Sequence, residues 1–211
     1  MAISTKAELH TAVANWLNRS DLTSRIPEFI SLAEAGFNRN LRTRDMLVRS
    51  TASTVSQYVS LPTDFLEMLN IELTSTTPPK RLVYITSDRS DDYREKRNNE
   101  VGIPDYWTIE GASIQLLPTP SESVTLQLSY YQDIPALSGL AASGNNHLLL
   151  SNPDIYLYAT LMQASPYIMD PQSAGQWGGL LDRAMQELQM SDEKSRYAGG
   201  TLNMRPKYIY S

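Results

Sequence analysis

Cysteine is absent and histidine nearly so. With no Cys among 211 residues, disulfide scaffolds, thiolate metal sites and cysteine nucleophiles are excluded. Two histidines, His10 and His147, are too few for a His-rich zinc site within one chain. No apolar run approaches the length of a bilayer-spanning helix, so no membrane insertion is expected. The opening MAISTKAELH has no apolar stretch and no cleavage signature, so it does not read as a secretory signal. Charged residues make up only 19%, too few for a coiled coil. These absences point to a soluble protein made in a cytoplasm.

What is present is tyrosine, proline and abundant Ser and Thr. The 12 Tyr, 3 Trp and 41% hydrophobic residues exclude a fully disordered chain. A compact chain of this size buries about 70% of its unfolded surface, enough for one sizeable core or two small ones. The net charge of −5 is uneven. Residues 1–44 hold six basic and four acidic side chains. Residues 45–150 hold seven and thirteen, a net of −6, and residues 151–211 hold five and six. An acidic middle argues against tight nucleic-acid binding, because phosphate affinity comes from Lys and Arg.

The first part of the chain is predicted helical. Ser4 or Thr5 caps a helix reaching about Asn18, with Glu8 completing a capping box. Leu9, Ala12, Val13, Trp16 and Leu17 form its apolar stripe, and His10 lies on its polar face. A second helix from Thr23 or Ser24 carries Ile26, Phe29, Ile30, Ala33, Phe37 and Leu41 at helical spacing. From about Leu47, short β-rich runs alternate with turn signals, predicting strands at 47–54, 57–60, 66–74, 81–85, 106–109, 112–117 and 123–131. Glu110-Gly111 marks a tight hairpin. Residues 87–98 read as a polar helical turn capped by Ser87 or Ser90, with a solvated charged face.

Residues 133–150 read as a loop. Ser151 or Asn152 then caps a third helix with Pro153 in its first turn and Ile155, Tyr158, Ala159 and Met162 along one stripe. Pro166 ends or kinks it. A fourth helix is predicted over 171–197, with Trp177, Leu181, Ala184 and Leu188 inward. Gly199-Gly200 stops it, and an extended tail follows. The expected fold class is α+β: a four-helix bundle built from both chain ends, an inserted antiparallel β-domain and an extended C-terminal arm. The expected boundaries are 1–44 and 151–198 for the helical domain, 45–150 for the β-domain and 199–211 for the arm.

Chemistry is hard to find. His147, in a Gly/Asn-rich loop beside three leucines, reads as a surface or helix-start residue rather than a catalytic one. No nucleophile elbow, phosphate loop or dinucleotide fingerprint occurs. Asp88, Asp91 and Asp92 cluster, but the glycine and terminal Glu of a calcium loop are missing. No catalytic residue, metal site or cofactor is expected, and the chain does not read as an enzyme. Tyr156, Tyr158, Tyr167, Tyr197, Tyr208 and Tyr210 crowd the last quarter, and tyrosine is favoured at protein interfaces. Tyr158 and Trp177 read as core.

Several short motifs, in order, carry a resemblance. They are Leu61-Pro62-Thr63-Asp64-Phe65-Leu66, Ile103-Pro104-Asp105-Tyr106-Trp107, Gly111, Leu116 to Pro118, and Tyr130-Tyr131 through Ile134-Pro135-Ala136-Leu137-Ser138. Leu148-Leu149, Asn152 to Ala159 and Trp177 complete the series. Over about residues 5–198 the chain resembles the head-to-tail adaptor proteins of short-tailed and related tailed bacteriophages.

The resemblance implies a non-enzymatic virion protein of the neck, assembled in the host cytoplasm. It implies a homo-oligomeric ring, usually a dodecamer, docked under the portal protein and bound below by tail nozzle, tube or fibre proteins. Genomic DNA would pass through without sequence-specific binding. The C-terminal stretch Arg205, Lys207, Tyr208, Ile209 and Tyr210 sits where such proteins place a portal-binding arm. Asp88, Asp91 and Asp92, in the acidic β-domain, are the candidates for lining the channel. A tail-associated cell-wall hydrolase or carbohydrate-binding module is the alternative. The latter would use Trp107, Tyr130 and Tyr131 along one sheet face.

Overall fold

The computed structural model describes residues 3–196. The chain is α+β and divides into two compact units. Residues 3–39 and 135–196 form a helical unit, and residues 40–134 form a β unit.

In the helical unit, α1 (Lys6–Leu17) starts at Thr5. The Thr5 hydroxyl accepts from the Glu8 N–H while the Glu8 carboxylate accepts from the Thr5 N–H, the reciprocal capping box that the sequence predicts. Two further first-turn donors find partners in the returning chain: Lys6 N–H bonds Gly144 O at 2.9 Å and Ala7 N–H bonds Ala142 O at 3.0 Å. α2 (Ile26–Asn40) buries Ile26, Phe29, Ile30, Ala33 and Phe37, the stripe read from its spacing.

The 133–150 stretch is more ordered than a loop. It contains a 3₁₀ turn at Leu137–Gly139 and a short helix α4 (His147–Ser151), capped by the Asn146 side chain on Leu149 N–H. Buried Leu137, Leu148 and Leu149 hold it down, an apolar content hidden among its turn residues. α5 (Pro153–Ala164) starts at its proline, as predicted, but is buried on nearly every side rather than along one stripe. It packs against α1, α4 and α6 (Pro171–Arg196), and its Thr160 hydroxyl returns to Tyr156 O. A helix apolar all round belongs at the centre of its unit.

The β unit contains two four-stranded sheets. The first has the order β1 (Leu47–Thr54), β10 (Val124–Gln132), β3 (Phe65–Leu73), β4 (Lys80–Arg81). The second runs β2 (Tyr58–Ser60), β8 (Ser113–Leu117), β7 (Tyr106–Glu110), β5 (Val83–Tyr84). Ile71, Leu73, Leu126 and Leu128 of the first share one core with Trp107, Ile114 and Leu116 of the second. Pairing within both sheets is antiparallel apart from β5 with β7. A short parallel pair, β6 (Val101–Gly102) with β9 (Thr119–Pro120), adds a second departure from an all-antiparallel domain. The cause of the first is topological. The chain between β5 and β7 contains α3 (Ser87–Lys96), and a crossover of that length is what parallel neighbours require. β7 and β8 form the predicted hairpin, with Gly111 at φ 59°, a left-handed value that favours glycine.

Two motifs of the resemblance turn out to be structural clasps. In Leu61–Phe65, Phe65 N–H bonds Pro62 O, and Asp64 accepts from the Tyr130 hydroxyl at 3.0 Å. Burial, then the bond to Asp64, pushes that phenol up to about 12. In Ile103–Trp107, Asp105 N–H bonds Leu117 O, Asp105 O accepts from Val83 N–H, and its carboxylate pairs with Lys80.

Candidate functional site

Among the described residues α3 is the most polar helix, and its attachment decides what it presents. Thr86, not Ser87 or Ser90, stands at its N-cap. Ser90 is instead inside the helix and fully buried, donating to Gln115 Oε1 at 2.6 Å. Gln115 in turn donates to the Tyr58 hydroxyl at 3.3 Å. Ser87 reaches Glu110 at 3.2 Å, and the Tyr93 ring meets Tyr106 edge to face at 5.3 Å. These contacts fasten α3 to the sheet of β2, β8, β7 and β5.

Asp88, Asp91 and Asp92 are consequently all exposed. Their i, i+3, i+4 spacing gathers them on one side of the helix. Asp88 lies in the first turn, where a negative charge complements the helix dipole. Asp91 comes within 3.9 Å of Arg94. Asp92 instead lines a cleft with Arg89, Lys96, Ile85, Tyr93 and Tyr106. Sequence reasoning grouped the three aspartates but missed this cleft, which exists only because the crossover lays α3 beside β7.

The arm residues Arg205, Lys207, Tyr208, Ile209 and Tyr210 lie outside the described residues, as do Tyr197 and Tyr208's neighbours in the tail. The tyrosines upstream differ from one another. Tyr156 is fully buried, bonded to Glu34 and Asn146, and burial drives its phenol strongly upward. It is a core residue, not an interface one. Tyr158 and Trp177 are only half-buried. They stack with ring centroids 6.3 Å apart, and Trp16, 52% exposed, meets both edge-on.

His10 is half-buried rather than on a free polar face. Its Nε2 is buried without a partner among the described residues, and burial, then the Lys6 charge, pushes its pKa down. Both causes favour the neutral ring. Trp107, Tyr130 and Tyr131 are buried, so the three aromatics do not form a sugar-binding platform. Among the described residues no group of three His, Asp or Glu is placed to hold a metal ion, and no helix is long and apolar enough to cross a membrane.

The features at hand are surfaces and clasps: an acidic helix face, a half-exposed aromatic trio, and motifs that lock turns to strands. They suit a protein that works by being assembled with others. The model of one family, described as SU10 adaptor protein, matches residues 4–205. The chain belongs to that family, a group of phage head-to-tail adaptors, and its role is structural. No curated protein matches the chain.

Proposed function

We propose that the chain is the repeating subunit of a ring, a dodecamer, that sits beneath the portal and joins the capsid to the tail. The observation that carries this reading is the adaptor-family match across residues 4–205. The four long helices α1, α2, α5 and α6 serve as one bundle split in sequence, with the β unit of residues 40–134 inserted between its halves. Exposed Trp16, Leu32, Tyr167 and Met190 on the helical unit supply lateral apolar surface suited to neighbouring subunits.

The acidic β-domain supports a channel role. DNA slides past a surface that does not grip phosphate, and a net −6 over residues 45–150 repels it. Asp88, Asp91 and Asp92 are the proposed lumen-facing charges. Tail nozzle, tube or fibre proteins bind the opposite end from the portal, and DNA passes without sequence-specific contact. The subunit carries out no catalysis.

The proposed arm docks to the portal through Arg205 and Lys207 on acidic groups and Tyr208, Ile209 and Tyr210 in apolar pockets. A chain of about twelve residues spans up to about 40 Å when extended. A ring multiplies many weak arm contacts into a strong joint. Protein lacking residues 201–211 is expected to keep its melting temperature yet fail to join DNA-filled heads in an in-vitro attachment assay. Attachment as efficient as that of the full chain would remove the arm from the proposal.

A further inference from the structure

The cleft beside α3 holds charge that nothing in the β unit satisfies. Arg89, Asp92, Tyr93 and Lys96 recur at i, i+3, i+4 and i+7 along one side of the helix. With Ile85 and Tyr106 they line a cleft of about 330 Å³. Asp92 precedes Lys96 by four residues, the order that pairs best on a helix. Yet the side chains of Arg89, Asp92 and Lys96 make no ion pair or hydrogen bond among the described residues. The other cations on and just after the same helix are engaged: Arg94 with Asp91 and Asn99, and Arg97 with Glu100 at 3.3 Å. The two unpaired cations of α3, Arg89 and Lys96, thus both line the concave side, whereas Asp88 and Glu95, whose side chains also lack a partner within the described residues, are not among the lining residues.

We propose that this cleft binds an extended acidic segment of a partner protein, with one carboxylate at Arg89 and a second at Lys96. The two cations stand seven residues apart, about 10 Å along the helix axis. Asp92 stands between them, giving the order plus, minus, plus. An extended chain places residues i and i+2 on one side, about 6.7 Å apart. An acid-x-acid sequence thus straddles Asp92, with flexible Arg and Lys stems closing the remaining distance. Ile85 and Tyr106 receive the methylenes of the acidic side chains.

Two other ligand classes fit less well. The cleft lies at the small end of the range for ligand sites, far too small to admit a duplex. The acidic surroundings also repel a polyanion at a distance, whereas carboxylates in contact with two cations are paired locally. A sugar ring needs a free aromatic face. Tyr93 already has Arg97 over its ring at 5.3 Å and Tyr106 against it. The assignment concerns the β unit alone and stands whether or not the chain forms a ring.

The test is a titration of the full-length protein with the peptide acetyl-Glu-Phe-Glu-amide at low salt, read by amide chemical shifts. Saturable shifts confined to α3, Ile85 and Tyr106 are expected, and acetyl-Gln-Phe-Gln-amide should leave those signals in place. Arg89→Gln with Lys96→Gln should weaken binding about tenfold through loss of two charge-assisted contacts, without moving the melting temperature. Asp92→Asn should tighten it about threefold by removing a like charge. No shifts up to about 10 mM peptide, equal shifts with the Gln peptide, or stronger shifts with glucuronate or a short DNA duplex would each overturn the proposal.

Discussion

Tyr156 donates its hydroxyl proton to the carboxylate of Glu34, 122 residues earlier in the chain, at 3.2 Å. The same Glu34 oxygen accepts from Leu137 N–H at 2.8 Å. Asn146 donates to the Tyr156 oxygen and to Pro135 O, and accepts from Leu149 N–H. Glu34 and Asn146, joined through the Tyr156 hydroxyl, thereby tie α2, α5, the 3₁₀ turn and the start of α4 together. Their satisfaction matters because a half-paired buried network costs more than an apolar one.

Burial raises the Glu34 pKa, opposed by the bonds from Leu137 and Tyr156. A raised carboxyl pKa means the folded state favours the protonated form. The associated stability is present below the unfolded value and is lost as pH rises through the folded one. Glu34→Gln keeps an acceptor for both donors but cannot ionise. The variant should melt increasingly above wild type as pH is raised from about 4 to 7. Melting curves across that range check it; a constant difference would mean that Glu34 does not titrate in the folded protein.

Gly144 lies where the returning chain meets the N-terminus of α1. A Cβ there would stand 2.6 Å from Leu140 Cβ and 3.0 Å from Ala141 O, neither of which is the free end of a side chain. Gly144→Ala should therefore displace the carbonyls that accept from Lys6 and Ala7. A loss of about 1–3 kcal/mol is expected, measured by urea denaturation. Gly139→Ala, with open space around its Cβ position, is the control and should change stability by less than about 1 kcal/mol.

Ser90 is the buried pin between α3 and the sheet. Ser90→Ala leaves Gln115 Oε1 without its donor and should cost about 1–3 kcal/mol. Hydrogen exchange should accelerate first in Ser87–Lys96. Uniform acceleration over the whole β unit would show that α3 does not open separately.

Asp88, Asp91 and Asp92 are exposed, so their replacement by Lys leaves the core untouched. In assembled particles the triple variant should slow genome ejection by turning a repelling face into a phosphate-binding one. Ejection at the wild-type rate would place this face away from the DNA.

Local chemistry was legible and long-range placement was not. Thr5 with Glu8, Pro153 after Asn152, the stripe from Ile26 to Phe37 and the alternation of Val124–Gln132 each state their structure within a few residues. Tyr156 carries no such mark. Its neighbours Tyr158 and Tyr167 look the same in sequence, and only the approach of α2 makes Tyr156 the buried one. Ser90 was misread for a related reason. A serine near a helix start resembles a cap, and its partner Gln115 is 25 residues away. α4 was hidden because Gly139, Gly144 and two asparagines outweigh three leucines in a short window. The cleft beside α3 was invisible because it depends on the parallel β5–β7 pairing.

A focused cryo-electron microscopy reconstruction of the neck, in a particle carrying this protein, decides where the chain stands in the assembly. The two-unit fold is expected to repeat around the axis between portal and tail, with C-terminal chain density running onto the portal and α3 facing the channel. The same fold found only at the tail tip or on the fibres, or a portal joined to the tail with no copy of it between them, would show that the protein is not the adaptor ring.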